Sequence, residues 1–344
     1  AYTLNGSRLY GDRSAGSPAA AAASAARTVL LSLFPARQQE IDSAYVSSLS
    51  GIADSKDQLV GIKVGAWVAD NVLASQANDG ADLSAAYTQP PSLGVFQAIS
   101  PQTPLFVSWG NVTPILLQSA VQFRPPPPPL LTSSQYATDY NEVQAVGAAN
   151  STARTPDETQ AALFWVENDY IPWNRVARTV AQQRNDSLDQ DARLFALLNV
   201  TLFDTRIAMF AAKYHYNFWR PIQAIHAGNV DGNPDTAGDA GWTSLGANIA
   251  HPDYPSGHSG DAGAASTVLA DFFGADSASF SLTTSTAPGG VFRSFASFSQ
   301  MATEVSNSRV WLGVHFRTAT KVGLQLGQEV AGWDISRFDA GTQS

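Results

Sequence analysis

The chain has 344 residues, with 20 basic against 29 acidic side chains, a formal charge of −9 and no cysteine. That balance leaves no basic footprint for nucleic acid and does not suit an anionic membrane surface, and the missing cysteines exclude disulfides, thiolate metal sites and cysteine nucleophiles. Hydrophobic residues at 44% and charged residues at 14% supply a large core, of about two domain-sized units by length.

The first 17 residues, rich in Gly, Ser and Arg, read as an irregular arm. Pro18 opens an Ala-rich run through Phe34 that predicts a helix by propensity. Pro35 breaks it, and residues 36–50 again look helical. Over 56–77, Leu59, Val60, Val64, Trp67, Val68 and Val72 recur at helical spacing. The apolar stretch Leu59–Leu73 carries Lys63 and Asp70 and falls short of a spanning run of roughly 18 residues, so no membrane partner is expected. Residues 78–128 shift to Gly, Pro, Ser and Thr and end in Pro125–Pro129, a polyproline II run read as a stiff surface connector. This marks off an N-terminal helical region, 1–130, from a C-terminal helical region, 131–344, that carries the chemistry, the two packed as one unit.

Helices return after Arg154, where Thr155-Pro156-Asp157-Glu158 is a capping box with proline at the first helical position. Further helices are predicted over 173–184 and from Asp189 to about Tyr214, the latter carrying Leu194, Phe195, Leu198, Leu202, Ile207 and Phe210. After a Gly/Asp/Asn/Pro loop at 228–255, helices are expected at 257–273, 294–312 and 317–333. Few strand-like alternations occur, so the expected class is all-α, built from packed helix bundles. The start Ala1-Tyr-Thr-Leu lacks a basic n-region and an apolar h-region; without an initial Met it reads as the mature form of a secreted or periplasmic chain.

Three short segments hold the unusual chemistry. In Lys213-Tyr-His-Tyr-Asn-Phe-Trp-Arg220-Pro221 the two cations stand seven apart, two helical turns, and could share a face; Pro221 stops or kinks that helix. In Tyr254-Pro-Ser256-Gly257-His258-Ser-Gly260, a helix start presents free N–H groups, a hydroxyl and a positive dipole end, which is an anion site. In Ser308-Arg309-Val-Trp-Leu-Gly-Val-His315, Arg309 closes one helix and His315 precedes the next. Singly, these residues read as surface charges, a plain cap and structural histidines. Together, three cations, a serine hydroxyl, the Gly257 amide and two histidines make a receptor for a tetrahedral oxyanion, with one histidine placed to attack or ligate the central atom and the other to move a proton. His215, His226 and Asp204 carry no comparable signal, although Asp204 could pair with a cation, and Phe210 and Trp219 are candidates for lining the pocket.

The order K-x6-R-P, P-S-G-H and S-R-x5-H, spanning Lys213 to His315, resembles the superfamily of type 2 phosphatidic acid phosphatases, class A acid phosphatases and vanadium-dependent haloperoxidases. The resemblance implies an all-α fold with two four-helix-bundle-like cores and a vanadate cofactor bonded to His315. It implies that Lys213, Arg220 and Arg309 bind the equatorial oxygens, that Ser256 and the Gly257 N–H donate hydrogen bonds, and that His258 is the acid/base. Phosphate or sulfate would occupy the site when vanadate is absent. Many members place Asp four residues after the ligating histidine to orient its ring; here that position is Ala319, which counts against phosphotransfer through His315 more than against vanadate ligation.

More than 200 residues precede Lys213, and His251-Pro-Asp-Tyr-Pro-Ser-Gly-His258 resembles the haloperoxidase form of the central motif. The leading expectation is therefore a haloperoxidase that uses hydrogen peroxide to oxidise halide to hypohalous acid, which halogenates a small organic substrate. A histidine at the position of His251 marks bromoperoxidases and a phenylalanine chloroperoxidases, so bromide and iodide are the halides expected. The alternatives are an acid phosphatase working through a phosphohistidine and a non-redox oxyanion-binding homologue. A homo-oligomer is implied by resemblance alone.

Overall fold

Proline and glycine punctuation divides this chain into helices much as propensity requires, and the protein is mostly helical. The computed structural model describes residues 3–4, 7–8, 16–53 and 56–342. Its contacts form two units: residues 1–79 with 185–193 and 340–344, and residues 80–184 with 194–339.

In the first unit, β1 (Thr3–Leu4) pairs antiparallel with β2 (Ser7–Arg8); the rest of the expected arm up to residue 15 lies outside the described residues. Helix α1 (Pro18–Leu33) starts at Ser17, whose side chain accepts from the Ala20 N–H, with Pro18 at the first position. A 3-10 turn over Pro35–Arg37 leads into α2 (Gln38–Ser50), and α3 (Lys56–Gln76) follows. α1 and α3 meet backbone to backbone, because a Cβ at Gly65 would lie 2.1 Å from the Ala21 carbonyl oxygen.

The second unit holds α4 (Ser134–Val146), α5 (Pro156–Phe164), α6 (Tyr170–Arg184), most of α7 (Leu188–Tyr216), α8 (Pro221–Ala227), α9 (Gly257–Phe272), α10 (Phe298–Trp311) and most of α11 (Arg317–Thr342). The Thr155–Glu158 capping box forms as predicted. Helices α4 and α8 and a hairpin in this unit were not expected, and the helix expected at 294–312 begins only at Phe298, after strand. α4 buries Tyr136, Ala137, Asp139, Tyr140 and Val143, a narrow, mostly apolar stripe in an otherwise polar sequence. Between α9 and α10, β3 (Ser277–Leu282) pairs antiparallel with β4 (Arg293–Ser297); serines occupy the positions that β-branched residues usually announce, while Phe280, Leu282 and Phe295 supply the buried face.

One apolar cluster joins α6, α7, α9, α10 and this hairpin, including Trp173, Leu198, Leu269, Phe280 and Phe298. A second, around Tyr136, Tyr140, Trp219, Ile225 and Phe316, joins α4, α8 and the α10–α11 junction. α7 is long and apolar enough to cross a membrane, yet 61% of its most apolar window is buried in the fold, which is how a core helix reads. Asp204 at its middle pairs with no cation among the described residues. Its carboxylate accepts the backbone N–H groups of Ile115, Leu116 and Leu117 at 2.7, 2.7 and 2.9 Å, tying the Pro-rich segment to the helix. Further along, the Pro126 carbonyl accepts from the Tyr254 hydroxyl at 2.6 Å and the Pro125 carbonyl from that of Tyr216. Proline lacks a donor but keeps its acceptor, so the proline run is pinned rather than free.

α11 crosses α9 on glycines. A Cβ at Gly327 would lie 1.9 Å from the Gly260 carbonyl oxygen, one at Gly263 2.0 Å from that of Leu324, and one at Gly323 2.4 Å from that of Ser256. The Ser256 N–H donates to the Ala319 carbonyl at 2.9 Å. This close approach seats the first turn of α9 against α11.

Candidate active site

The chemically marked residues come from the ends of helices and the loops between them. α7 ends at Tyr216, Asn217 turns the chain with φ 51°, and Arg220 is the N-cap residue of α8. Lys213 and Arg220 therefore do not share a face of one helix, as their spacing suggested. They converge because the chain breaks between them, and both are buried, at 0% and 3% exposure.

The loop before α9 threads between these cations. Lys213 Nζ donates to the carbonyls of Pro252 (2.7 Å) and Asp253 (3.0 Å), and Arg220 Nε to that of His251 (2.7 Å). Arg220 Nη1 donates to the Val314 carbonyl at 2.7 Å and lies 3.1 Å from His315 Nε2, while Nη2 lies 2.9 Å from His251 Nδ1. Arg309, in the last turn of α10 and 2% exposed, donates from Nη1 to the Trp165 carbonyl at 2.9 Å, and its buried Nε meets no partner. Burial lowers the pKa values of Arg220 and Arg309 to about 10, with the Arg220 charge adding to the effect on Arg309. Burial and then the Arg220 charge take Lys213 well below its ordinary value. Three buried cations that weaken one another form a site short of negative charge.

Ser256 caps α9 with its backbone only. Its hydroxyl makes no capping bond and accepts from the Ser259 hydroxyl at 3.1 Å, so its own proton is free to be donated, beside the first-turn amide of Gly257.

His315 sits between a cation and a carboxylate. Burial, then the charges of Arg220, Lys213 and Arg309, push its pKa well down, so the ring is neutral and carries one proton. A guanidinium only donates; Nε2, facing Arg220, must hold the lone pair, and the proton is on Nδ1. Nδ1 lies 2.8 Å from Asp253 Oδ1, off the hydrogen-bond line, so a small ring rotation completes that bond. The carboxylate missing at Ala319 is thus supplied from the α9 loop. Burial pushes Asp253 up to about 7 against the pull of Arg220 and Lys213. The signal was in the sequence, an acid inside the histidine-flanked motif, and was passed over.

His258 lies in the first turn of α9, with Nδ1 3.3 Å from Asp169 Oδ2. Burial and the Arg309 charge lower its pKa to about 3, with Asp169 pulling the other way. An ionised carboxylate only accepts, so the proton of His258 is on Nδ1, and Nε2 presents a lone pair with no partner. Burial works to raise the Asp169 carboxyl, but Arg206 and His258 hold it down at about 2; Arg206 bonds both it and Asp261. Asp169 has no motif around it and could not be found from sequence.

His251 packs edge-on against Phe210 at 5.3 Å, beside the Arg220 guanidinium. His226 Nε2 donates to the Trp242 carbonyl, 2.8 Å away, and His215 is exposed; neither joins the cluster. Among the described residues no group of three His, Asp or Glu could hold a bare metal ion. The arrangement suits a metal that arrives as an oxyanion, with cations and donors around its oxygens and one imidazole lone pair for its centre.

Residues 193–341 match the family model described as the VCPO second helical-bundle domain. The vanadium chloroperoxidase of Curvularia inaequalis is 27% identical over 198 residues, 48% of this chain and 32% of that protein; the match thus spans about a third of that relative's length. A structure described as the first bacterial vanadium-dependent iodoperoxidase is 26% identical, with a TM-score of 0.77, over 91% of this chain and 79% of that one. A holo-type bacterial vanadium-dependent chloroperoxidase shares the fold, with a TM-score of 0.76 at 16% identity over 94% and 83% of the two chains.

Proposed function

From the vanadium haloperoxidases, which this chain resembles in its second helical bundle and its fold, we propose that it is a vanadate-dependent haloperoxidase. The observation that carries the reading is the convergence of Lys213, Arg220 and Arg309, all buried, with the His315 Nε2 lone pair and the free Ser256 hydroxyl. That donor set fits a trianionic tetrahedral oxyanion. Arg220, Arg309 and Lys213 would hold its oxygens, Ser256 and the Gly257 N–H would hydrogen-bond it, and His315 Nε2 would bond its centre. When bound, vanadate supplies Lewis-acid activation of hydrogen peroxide without a change of oxidation state.

The remaining steps belong to the protein. Asp253 holds the His315 tautomer that keeps the lone pair on Nε2, where Arg220 Nη1 faces it at 3.1 Å, and the same contact makes that nitrogen a better donor. His258 Nε2 can take a proton from an incoming peroxide, because Asp169 fixes the opposite proton on Nδ1. Burial and then the Arg309 charge keep His258 unprotonated, and a bound anion would offset the second of these. Lys213, already donating to two carbonyls, has a third N–H for an oxygen of the bound group, and burial of the cluster excludes water that would weaken these contacts. His251, clamped by Arg220 beside Phe210, is assigned to halide selection, with bromide and iodide oxidised more readily than chloride.

Bromination of monochlorodimedone with peroxide, bromide and vanadate, run beside p-nitrophenyl phosphate hydrolysis, tests the reading. Vanadate should activate the first; phosphatase activity that vanadate inhibits would overturn it. That second reading has one observation in its favour, since Asp253 supplies the carboxylate that Ala319 does not. Steady-state rates with the three halides, for the wild type and His251→Phe, test the halide assignment, which equal chloride and bromide turnover would remove.

A further inference from the structure

One face of α7 runs outward from the cation cluster. Asn199, Phe203, Arg206, Phe210 and Lys213 are spaced alternately four and three apart, so they stack along a single stripe. Beyond Lys213 this stripe lines a cavity of about 410 Å³. Aromatic rings form its walls. Phe106 meets Phe210 at 5.0 Å and Trp109 at 5.8 Å, and Trp109 meets Phe203 at 6.3 Å. Phe106 holds φ 60°, a left-handed conformation uncommon for a bulky residue, and its ring is half exposed.

The cavity touches the site at two points. Phe210 lies edge-on to His251, and Arg206 bonds Asp169, the carboxylate that faces His258. Arg206 spends Nε and Nη2 on Asp261 and Asp169. Its Nη1 makes no hydrogen bond among the described residues, while the side chain is 26% exposed and lies over the Tyr170 ring at 5.2 Å. An oriented donor is therefore left facing a chamber of aromatic edges and faces.

We propose that this cavity binds a hydroxylated arene of one or two rings, its ring between Phe106, Trp109 and Phe203 and its oxygen on Arg206 Nη1. The reading rests on the haloperoxidase function. Aromatic walls favour an aromatic guest through edge and offset contacts, a guanidinium favours an oxygen acceptor, and the volume is that of a small-molecule pocket. The guest would lie beside the site, one wall away from His251 and His258, within reach of hypohalous acid formed there. A ring carbon attacks the halogen; the carbon–halogen bond forms as the oxygen–halogen bond breaks. The ring proton then leaves and joins the hydroxide as water. The arene loses an electron pair and the formally positive halogen gains it.

The test uses 2-naphthol and full-length wild type, Phe106→Ala and Phe203→Leu. Bromination of 2-naphthol should saturate, with KM raised roughly tenfold in each variant, while the rate of triiodide formation from iodide and peroxide stays within about twofold. Saturation-transfer NMR should show 2-naphthol binding to the vanadate-free wild type and weaker binding to both variants. A bromination rate linear in 2-naphthol and equal in all three proteins would overturn the proposal, as would absent saturation transfer. Absent triiodide formation would instead overturn the function beneath it, and the NMR experiment separates the two failures.

Discussion

Two carboxylates at single positions set which nitrogen of each site histidine is free. Asp253 faces His315 Nδ1 at 2.8 Å and Asp169 faces His258 Nδ1 at 3.3 Å, so both rings present Nε2 inward. Replacing Asp253 by Asn keeps the shape and removes the charge that makes His315 a strong donor. Vanadate affinity, read by calorimetric titration of the vanadate-free protein, should fall roughly 10–100-fold. An unchanged Kd would refute the role. His258→Ala should behave differently. Turnover should drop about 100- to 10,000-fold, the usual contribution of a general acid or base, while vanadate still binds within severalfold of the wild-type Kd. Parallel losses of both quantities would make His258 a binding group instead.

At the scale of elements, the first turn of α9 is placed by helix packing without side chains. A methyl group at Gly327 would meet the Gly260 carbonyl oxygen at 1.9 Å and the Ala264 nitrogen at 2.7 Å, and neither backbone atom can rotate away. Gly327→Ala should destabilise the fold by about 1–3 kcal/mol and, by moving Ser256 and Gly257, weaken phosphate or vanadate binding; thermal melts and titrations read both. α11 also carries Asp334, 0% exposed with no partner for either oxygen. Burial and then the Asp204 charge push its pKa up to about 8. Between its ordinary value near 4 and that pKa, the folded state keeps a proton the unfolded chain releases, so stability falls as pH rises through this window. Asp334→Asn should remove the penalty. The variant should match wild type near pH 4 and exceed it by about 2–4 kcal/mol at pH 8, as denaturant unfolding at the two pH values would show. A pH-independent difference would exclude the titration.

For the whole molecule, a chain of net charge −9 gathers three of its 20 basic side chains into one buried cluster. An anion that binds only the folded state stabilises it by mass action, by about 2.7 kcal/mol at 100 times Kd. The Tm should therefore climb with phosphate or vanadate at neutral pH, beyond what sodium chloride of matched ionic strength produces. Arg309→Gln should flatten that response. An identical rise with chloride, or none at all, would remove the anion site from the account.

Much of this was legible in local chemistry. Pro18, the Thr155–Glu158 box and the apolar spacing of α3 and α7 act over one or two turns, so those helices can be placed from the residues alone to within a few positions. Lys213, Arg220, Ser256, His258, Arg309 and His315 were likewise legible as motifs: Arg220 stands before Pro221, His258 between Gly257 and Ser259, Arg309 after Ser308, and Lys213 and His315 at fixed spacings from these. The rest depends on long-range packing. α4 has too narrow an apolar stripe to announce itself and is stabilised by packing. The hairpin of β3 and β4 writes its strands in serine and phenylalanine. Lys213 and Arg220 share a site because Asn217 breaks the helix, not because of helical periodicity. Asp204 turned out to hold a backbone loop, Asp253 to replace the carboxylate missing at Ala319, and Asp169 to orient His258 from a distant segment. A carboxylate carries no local instruction about its partner; burial and long-range approach choose it, and those exist only once the chain has folded.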